Sequence, residues 1–337
     1  MKTPTRNASR LIIVMAIAAT TSFAGGFKTS PVAQYKEGEF SFGGTIDSSF
    51  VAGEAREHVF YPKSASAEYA RELGLPDDGK RHQLSRLDWD LAAAMIGFAG
   101  SIRYDRFSFN AGIWYGGSGD DSDLDMKDYD WMAGDHLPHT EYSRSDTELT
   151  DAWMIDANVS YDFLRDETFT TYAFIGFRWQ KWEWECDGWN DYYYSENNWK
   201  RIRDKGHVCD YEQQMNFAYF GVGGEMKLTD KLALSAYLSW APVYGGKDHD
   251  RHLAVYKDFN EDFDYDDGEV YAAGIALDWY VSEKASFTLA LDWQKATLHE
   301  GDLELTDYGE GEFEKMEDGA GYETEYVALT LGFNYAF

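Results

Sequence analysis

The chain is short of three things. Cysteine occurs twice, and 30 basic residues face 60 acidic ones. Downstream of the N-terminal segment, no stretch approaches the ~18 uninterrupted apolar residues of a transmembrane helix. Each shortage excludes something. Two cysteines, Cys186 and Cys209, are too few for a disulfide-rich scaffold, although in an oxidising compartment they can pair and close one loop. A formal net charge of −30 repels nucleic acid and favours cationic partners. Solubility in an acidic or salty exterior accounts for that charge equally well. Without a long apolar run there is no membrane-spanning helix.

Aromatic residues are what the chain has in excess: 24 Tyr, 21 Phe and 12 Trp. Mean hydropathy is nevertheless −0.53. An aromatic-rich soluble β protein fits those values, and so does a transmembrane barrel with aromatic girdles. The N-terminus favours export. Lys2, Arg6 and Arg10 precede the apolar run Leu11 to Ala19, and Ser22-Phe23-Ala24 reads as a small-x-small cleavage site. Residues 1–24 are expected to be a signal peptide and 25–337 one barrel domain. Removing three positive charges and no negative ones would take the net charge from −30 to −33.

Alternation of period two supplies the fold. Val327, Leu329, Leu331, Phe333, Tyr335 and Phe337 share one face, and Ala328, Thr330, Gly332, Asn334 and Ala336 share the other. Apolar outside with small or polar inside is the pattern of a membrane strand. Trp153 to Phe163, Ala273 to Trp279 and Phe287 to Trp293 repeat it. Tight polar links fall at 104–106, 164–167, 229–231 and 282–284. Long polar stretches fall around 62–82, 119–149, 187–206, 246–268 and 299–322. Four short turns and five long loops predict an all-β, ten-stranded antiparallel transmembrane β-barrel with long extracellular loops. Several strands exceed the ~10 residues that span a bilayer, so the barrel should project above it.

Two acidic clusters lie toward the outer strand ends: Asp128-Tyr129-Asp130, and Lys247-Asp248-His249-Asp250-Arg251-His252. In extended backbone, Asp128 and Asp130 share a face, as do Asp250 and His252. An Asp beside a His orients the imidazole and raises its basicity. Paired carboxylates raise one another's pKa. Such dyads facing each other would hold a water for acid–base chemistry without a covalent nucleophile. Acidic surface decoration is the plainer alternative. A metal site formed by Asp248, His249, Asp250 and His252 is another, but a strand splits those four between two faces. A cation-selective pore lined by Asp156, Asp162, Asp278 and Asp292 is a third, against the tendency of small barrels to fill their interior.

Leu84-Ser85-Arg86-Leu87-Asp88-Trp89, then Lys127-Asp128-Tyr129-Asp130-Trp131-Met132, then Asp248-His249-Asp250-Arg251-His252 resemble the omptin family of outer-membrane aspartyl-type proteases. The similarity runs from about Gly38 to Phe337. It implies a monomeric endopeptidase of the bacterial outer membrane, with its active site facing the exterior. Such an enzyme cleaves cationic peptides or proteins next to Arg or Lys. By this resemblance Asp128, Asp130, Asp250 and His252 are catalytic, with His252 activating water. Glu57 and Asp248 would bind the substrate's P1 side chain; a plain lumen-lining acid is the other reading of Glu57. No metal or cofactor is implied. The family binds lipopolysaccharide as an activator through Tyr, Glu, Arg and Lys on the outer wall, an outer-membrane lipid partner. Here Phe177 and Trp179 fall at the Tyr and Glu positions, Lys181 keeps a basic residue, Gln214 replaces an Arg, and the last Lys position falls near Asp266. A non-enzymatic omptin-like barrel acting in adhesion or structure is the rival expectation.

Overall fold

A computed structural model describes residues 39–61, 82–119, 124–131, 141–195, 198–203 and 206–337. The expected signal peptide, Met132, and most of the 62–82 stretch lie outside the described residues. Fourteen strands account for nearly everything else: β1 (Phe40–Phe60), β2 (Gln83–Tyr104), β3 (Phe107–Gly117), β4 (Leu124–Asp130), β5 (Glu141–Arg165), β6 (Phe169–Ser195), β7 (Asn198–Arg203), β8 (His207–Thr229), β9 (Leu232–Ala241), β10 (Gly245–His252), β11 (Lys257–Phe263), β12 (Val270–Tyr280), β13 (Ala285–Asp307) and β14 (Glu312–Ala336).

Ten walls close into a ring. β1 pairs with β2 on one side and with β14 on the other, so the first and last strands shut the sheet. β4 extends the path of β3, because both lie between β2 and β5. β10 likewise extends β9 beside β8, and β11 leads into β12 beside β13. β7 folds back on the tip of β6. Closure leaves no unpaired edge in the hydrocarbon region, which lipid demands.

The four short links are tight turns as expected. Asp105 adopts a φ of 52°, a left-handed conformation that Asp tolerates. Asp166 accepts the amides of Thr168 and Phe169 at 2.8 Å each. Ser282 accepts those of Lys284 and Ala285. At the opposite end, four of the expected long loops are largely strand, 187–206 through the end of β6 and β7. Segments of 119–149, 246–268 and 299–322 carry β4, β10, β11 and the upper parts of β5, β13 and β14. Above the membrane the outer face meets water instead of lipid, so apolar residues no longer mark it although the backbone stays extended.

Outward-facing residues form the apolar band. Ile275, Leu291 and Leu329 are about half exposed and adjacent in register. The interior is filled rather than open. Arg178 pairs with Asp156 at 3.0 Å and donates to Gln294 at 2.7 Å. Asp162 is held by Arg103, Asp278 by Thr288, and Asp292 by Tyr237 at 3.0 Å. All four acids considered as pore lining are thus engaged, beside buried Tyr172, Phe174, Tyr219 and Tyr237. Gly97 serves the same packing: a Cβ there would overlap the Trp114 ring, whose indole N–H donates to Asp47.

A charge placed at the centre of the outer band should be costly. Leu291→Arg should destabilise the barrel by ~2–4 kcal/mol, the range for Arg at a bilayer midplane. The same residue at Val255, above the band, should change stability little. Equal denaturant midpoints for the two variants in lipid vesicles would refute this placement of the bilayer.

Candidate active site

Each expected site residue lies on a strand that rises above the apolar band. Glu57 is inward on β1, Asp128 and Asp130 are on β4, and Asp248, Asp250 and His252 are on β10. Inward alternation on β10 aligns Asp248, Asp250 and His252 along one face, while His249 turns away to bond Asp258 at 2.5 Å. The four-residue metal set therefore does not form. Among the described residues, no group of three or more His, Cys, Asp or Glu is arranged to hold a metal ion.

His252 Nε2 and Asp250 Oδ2 are 2.6 Å apart, with the Asp250 side chain 2% exposed and His252 20%. Across the cleft, the Ser85 hydroxyl donates to Asp128 at 3.0 Å. Asp128 and His252 line one cavity together with Met126, Ser143, Ser145, Val208 and Cys209. Cys209 is paired with Cys186 in a disulfide between the neighbouring strands β6 and β8, and it stands opposite His252 in register. The bridge is thus part of the cleft wall as well as a clasp on the β6–β8 segment. Met126, Val208 and Cys209 pack in turn against buried Trp89, Trp184 and Tyr211. Trp89 stacks on Tyr211 with ring centroids 4.5 Å apart.

A second group of acids adjoins this dyad. Burial holds Glu57 well above the ordinary Glu value, and Asp250, Asp248 and Asp128 push it the same way. Asp248 rises to about 7: burial lifts it more than hydrogen bonds from Glu261 and Tyr211 lower it. Tyr211 donates its hydroxyl to Asp248 at 3.1 Å and accepts one from Gln213 at 3.1 Å. Asp128 is raised by burial and by Asp130, against the lowering effects of His252 and Ser85. Burial would pull His252 down, but Asp250, the hydrogen bond to it, Asp128 and Asp130 lift it to about 9. The arrangement provides a strong base tied to a carboxylate, a facing acid pair, and a buried acidic recess suited to a cation.

Residues 66–337 match the family model for omptins.

The chain belongs to the omptin family.

Two relatives named Protease 7, from Escherichia coli O157:H7 and from strain K12, are each 24% identical over 284 residues, covering 81% of this chain and 87% of theirs. The crystal structure of outer membrane protease OmpT from Escherichia coli aligns with a TM-score of 0.75 at 20% identity, covering 92% of this chain and 100% of that one. This last likeness concerns the fold. Two residues of the site escaped the sequence reading. Glu261 stands opposite Asp248 on β11, and Tyr211 stands opposite Asp250 on β8. Their spacing from the omptin motifs carries no signal, because strand pairing alone brings them in.

At the outer-wall positions that the resemblance assigns to lipid, the polar groups are already engaged. Lys181 is already engaged by Glu212 at 2.8 Å and by Glu183, and Gln214 donates to Glu212. Among the described residues at these positions, one compensated cation among acids does not suit a phosphorylated lipid.

The acid cluster should make stability fall as pH rises. Asp248, Asp128, Glu57 and Glu261 are raised above the ordinary Asp and Glu values of 3.8 and 4.5, so the folded state retains protons that the unfolded state releases. His252, raised from 6.5 to about 9, contributes stability below 6.5 that is lost as pH climbs through about 9. Glu323, lowered to about 2 by the adjacent His58 and Arg56, acts in the opposite sense but only at lower pH, below the ordinary Glu value of 4.5. Denaturant midpoints should therefore decrease from about pH 5 to about pH 9. A midpoint that rises across this interval would contradict the protonation pattern.

Proposed function

We propose that this chain is an endopeptidase that cleaves cationic peptides or proteins next to Arg or Lys. In this reading His252 is the base that activates water and Asp250 orients it. Asp128 and Asp130 position that water and stabilise the transition state, while Glu57 and Asp248 receive the P1 side chain. Membership in the omptin family makes the chain an outer-membrane peptidase. The substrate class, the residue roles, a mature chain starting after Ala24 and a cleft open to the exterior belong to our reading. One barrel carries all these groups, so no second copy is needed.

The observation that carries the reading is the 2.6 Å His252–Asp250 pair, whose imidazole shares a cavity with Asp128. Asp250 fixes one imidazole nitrogen and leaves the other to take a proton from water. The resulting hydroxide attacks the scissile carbonyl, and the imidazolium then returns the proton to the departing amine. With a pKa near 9 the ring is protonated in the free protein at neutral pH. A P1 cation beside Glu57 places positive charge near Asp250, whose field reaches Glu57. That charge weakens the ring's hold on its proton, so basic substrates help generate the base that attacks them.

Two experiments test this. His252→Ala and Asp250→Ala should each lower turnover of an Arg-Arg peptide at least ~10²-fold without loss of fold, as expected for a general base and its orienting group. Near-normal cleavage by folded His252→Ala protein would sink the base assignment. Glu57→Gln should lower kcat/KM for a P1 Arg peptide by ~10- to 10²-fold while barely changing a P1 Ala peptide, the range for a charge-assisted bond to a buried group. If the ratio between those peptides stays constant, Glu57 does not read P1.

A further inference from the structure

We propose that Glu261 is a third acid of the P1 pocket and makes that pocket prefer an Arg guanidinium over a Lys ammonium. The proposal rests on the reading of Glu57 and Asp248 as the P1 pocket. Glu261 belongs to none of the motifs by which the sequence resembles its family. It enters through pairing: β11 lies against β10 with Glu261 directly opposite Asp248.

Glu261 is 2% exposed, and neither of its carboxyl oxygens meets a hydrogen-bond donor. Its polar neighbour is the Asp248 carboxyl, and two carboxyls can share a hydrogen bond only when one keeps its proton. Glu57 lies in the same field, since both it and Asp248 act on Glu261. All three acids act on the Tyr211 hydroxyl. Tyr211 satisfies Asp248 Oδ2, but Asp248 Oδ1, Glu57 Oε2 and both oxygens of Glu261 are buried without a donor.

Buried acceptors without donors are costly, and folded proteins seldom retain several together. Three such carboxyls in one recess call for a ligand rich in N–H groups. A Lys ammonium offers three donors on one nitrogen, whereas a guanidinium offers five spread over a rigid fork that can reach separate carboxyls. Chemistry reinforces the count. A Lys ammonium can surrender a proton to a crowded acid pocket, while Arg stays charged and is more weakly hydrated, so burying it costs less. Without Glu261, the oxygens of Glu57 and Asp248 would still serve an ammonium, but the guanidinium would lose partners.

The test compares matched peptides with Arg or Lys at P1 in wild type, Glu261→Gln and Glu57→Gln. In Glu261→Gln, the Arg/Lys ratio of kcat/KM should fall roughly ten-fold, most of it from the Arg peptide. An unchanged ratio in folded Glu261→Gln protein overturns the proposal. Glu57→Gln separates the two ideas. If it abolishes discrimination of Arg from Ala while Glu261→Gln leaves Arg/Lys unchanged, the pocket stands and the role of Glu261 is refuted. If neither variant changes its ratio, both ideas fall. A wild-type measurement covers the case in which Glu261→Gln does not fold. n-Butylguanidine should inhibit competitively at about ten-fold lower concentration than n-butylamine, and equal inhibition by the two overturns the proposal.

Discussion

Backbone amides and carbonyls immersed in hydrocarbon have no water to bond, so each needs a partner within the protein. A sheet meets that demand only by closing on itself, and the pairing of β1 with β14 is where this sheet closes. The other features follow from closure. Ten walls confine a narrow interior, which side chains then fill. The acids that a pore would have exposed are bonded to Arg103, Arg178, Tyr237 and Thr288. The walls can also continue past the lipid at little cost, because the ladder is already in register. The site sits on these extensions.

The cleft gathers groups that repel one another. Glu57, Asp128, Asp248, Asp250 and Glu261 are all at most 8% exposed, and no Lys or Arg pairs with them among the described contacts. Burial favours the neutral forms of Glu57, Asp128, Asp248 and Glu261, and proximity strengthens that preference. The same fields lift His252. Stability is sacrificed in one small region of a sheet that is otherwise densely bonded. The stored electrostatic imbalance is relieved when a positive side chain arrives. Binding a cation and freeing the imidazole are in this way one electrostatic event seen at two residues.

The disulfide does more than its spacing suggests. Cys186 and Cys209 are 23 positions apart, which reads as a clasp on an outer loop. Strand pairing also sets Cys209 opposite His252, so the bridge that closes this outer segment stiffens the wall that carries the base as well. Trp89, Trp184 and Tyr211 back the same wall.

By itself the sequence determined the membrane-spanning half of the molecule. Alternation such as Val327 to Phe337 and the short turns at Asp105, Asp166 and Ser282 suffice there, because lipid outside and packing inside impose opposite demands on successive residues. It also named the site residues that lie in local motifs, since i and i+2 share a face in any strand. Above the bilayer the outer face meets water and the inner face carries acids as well as apolar groups, so 246–268 and 299–322 show no simple apolar–polar alternation to read. Which acids meet was decided only by tertiary structure. Glu57, Asp248 and Glu261 come from β1, β10 and β11, and Tyr211 from β8. Their convergence depends on register around a closed ring, a relation between distant segments that no local spacing records.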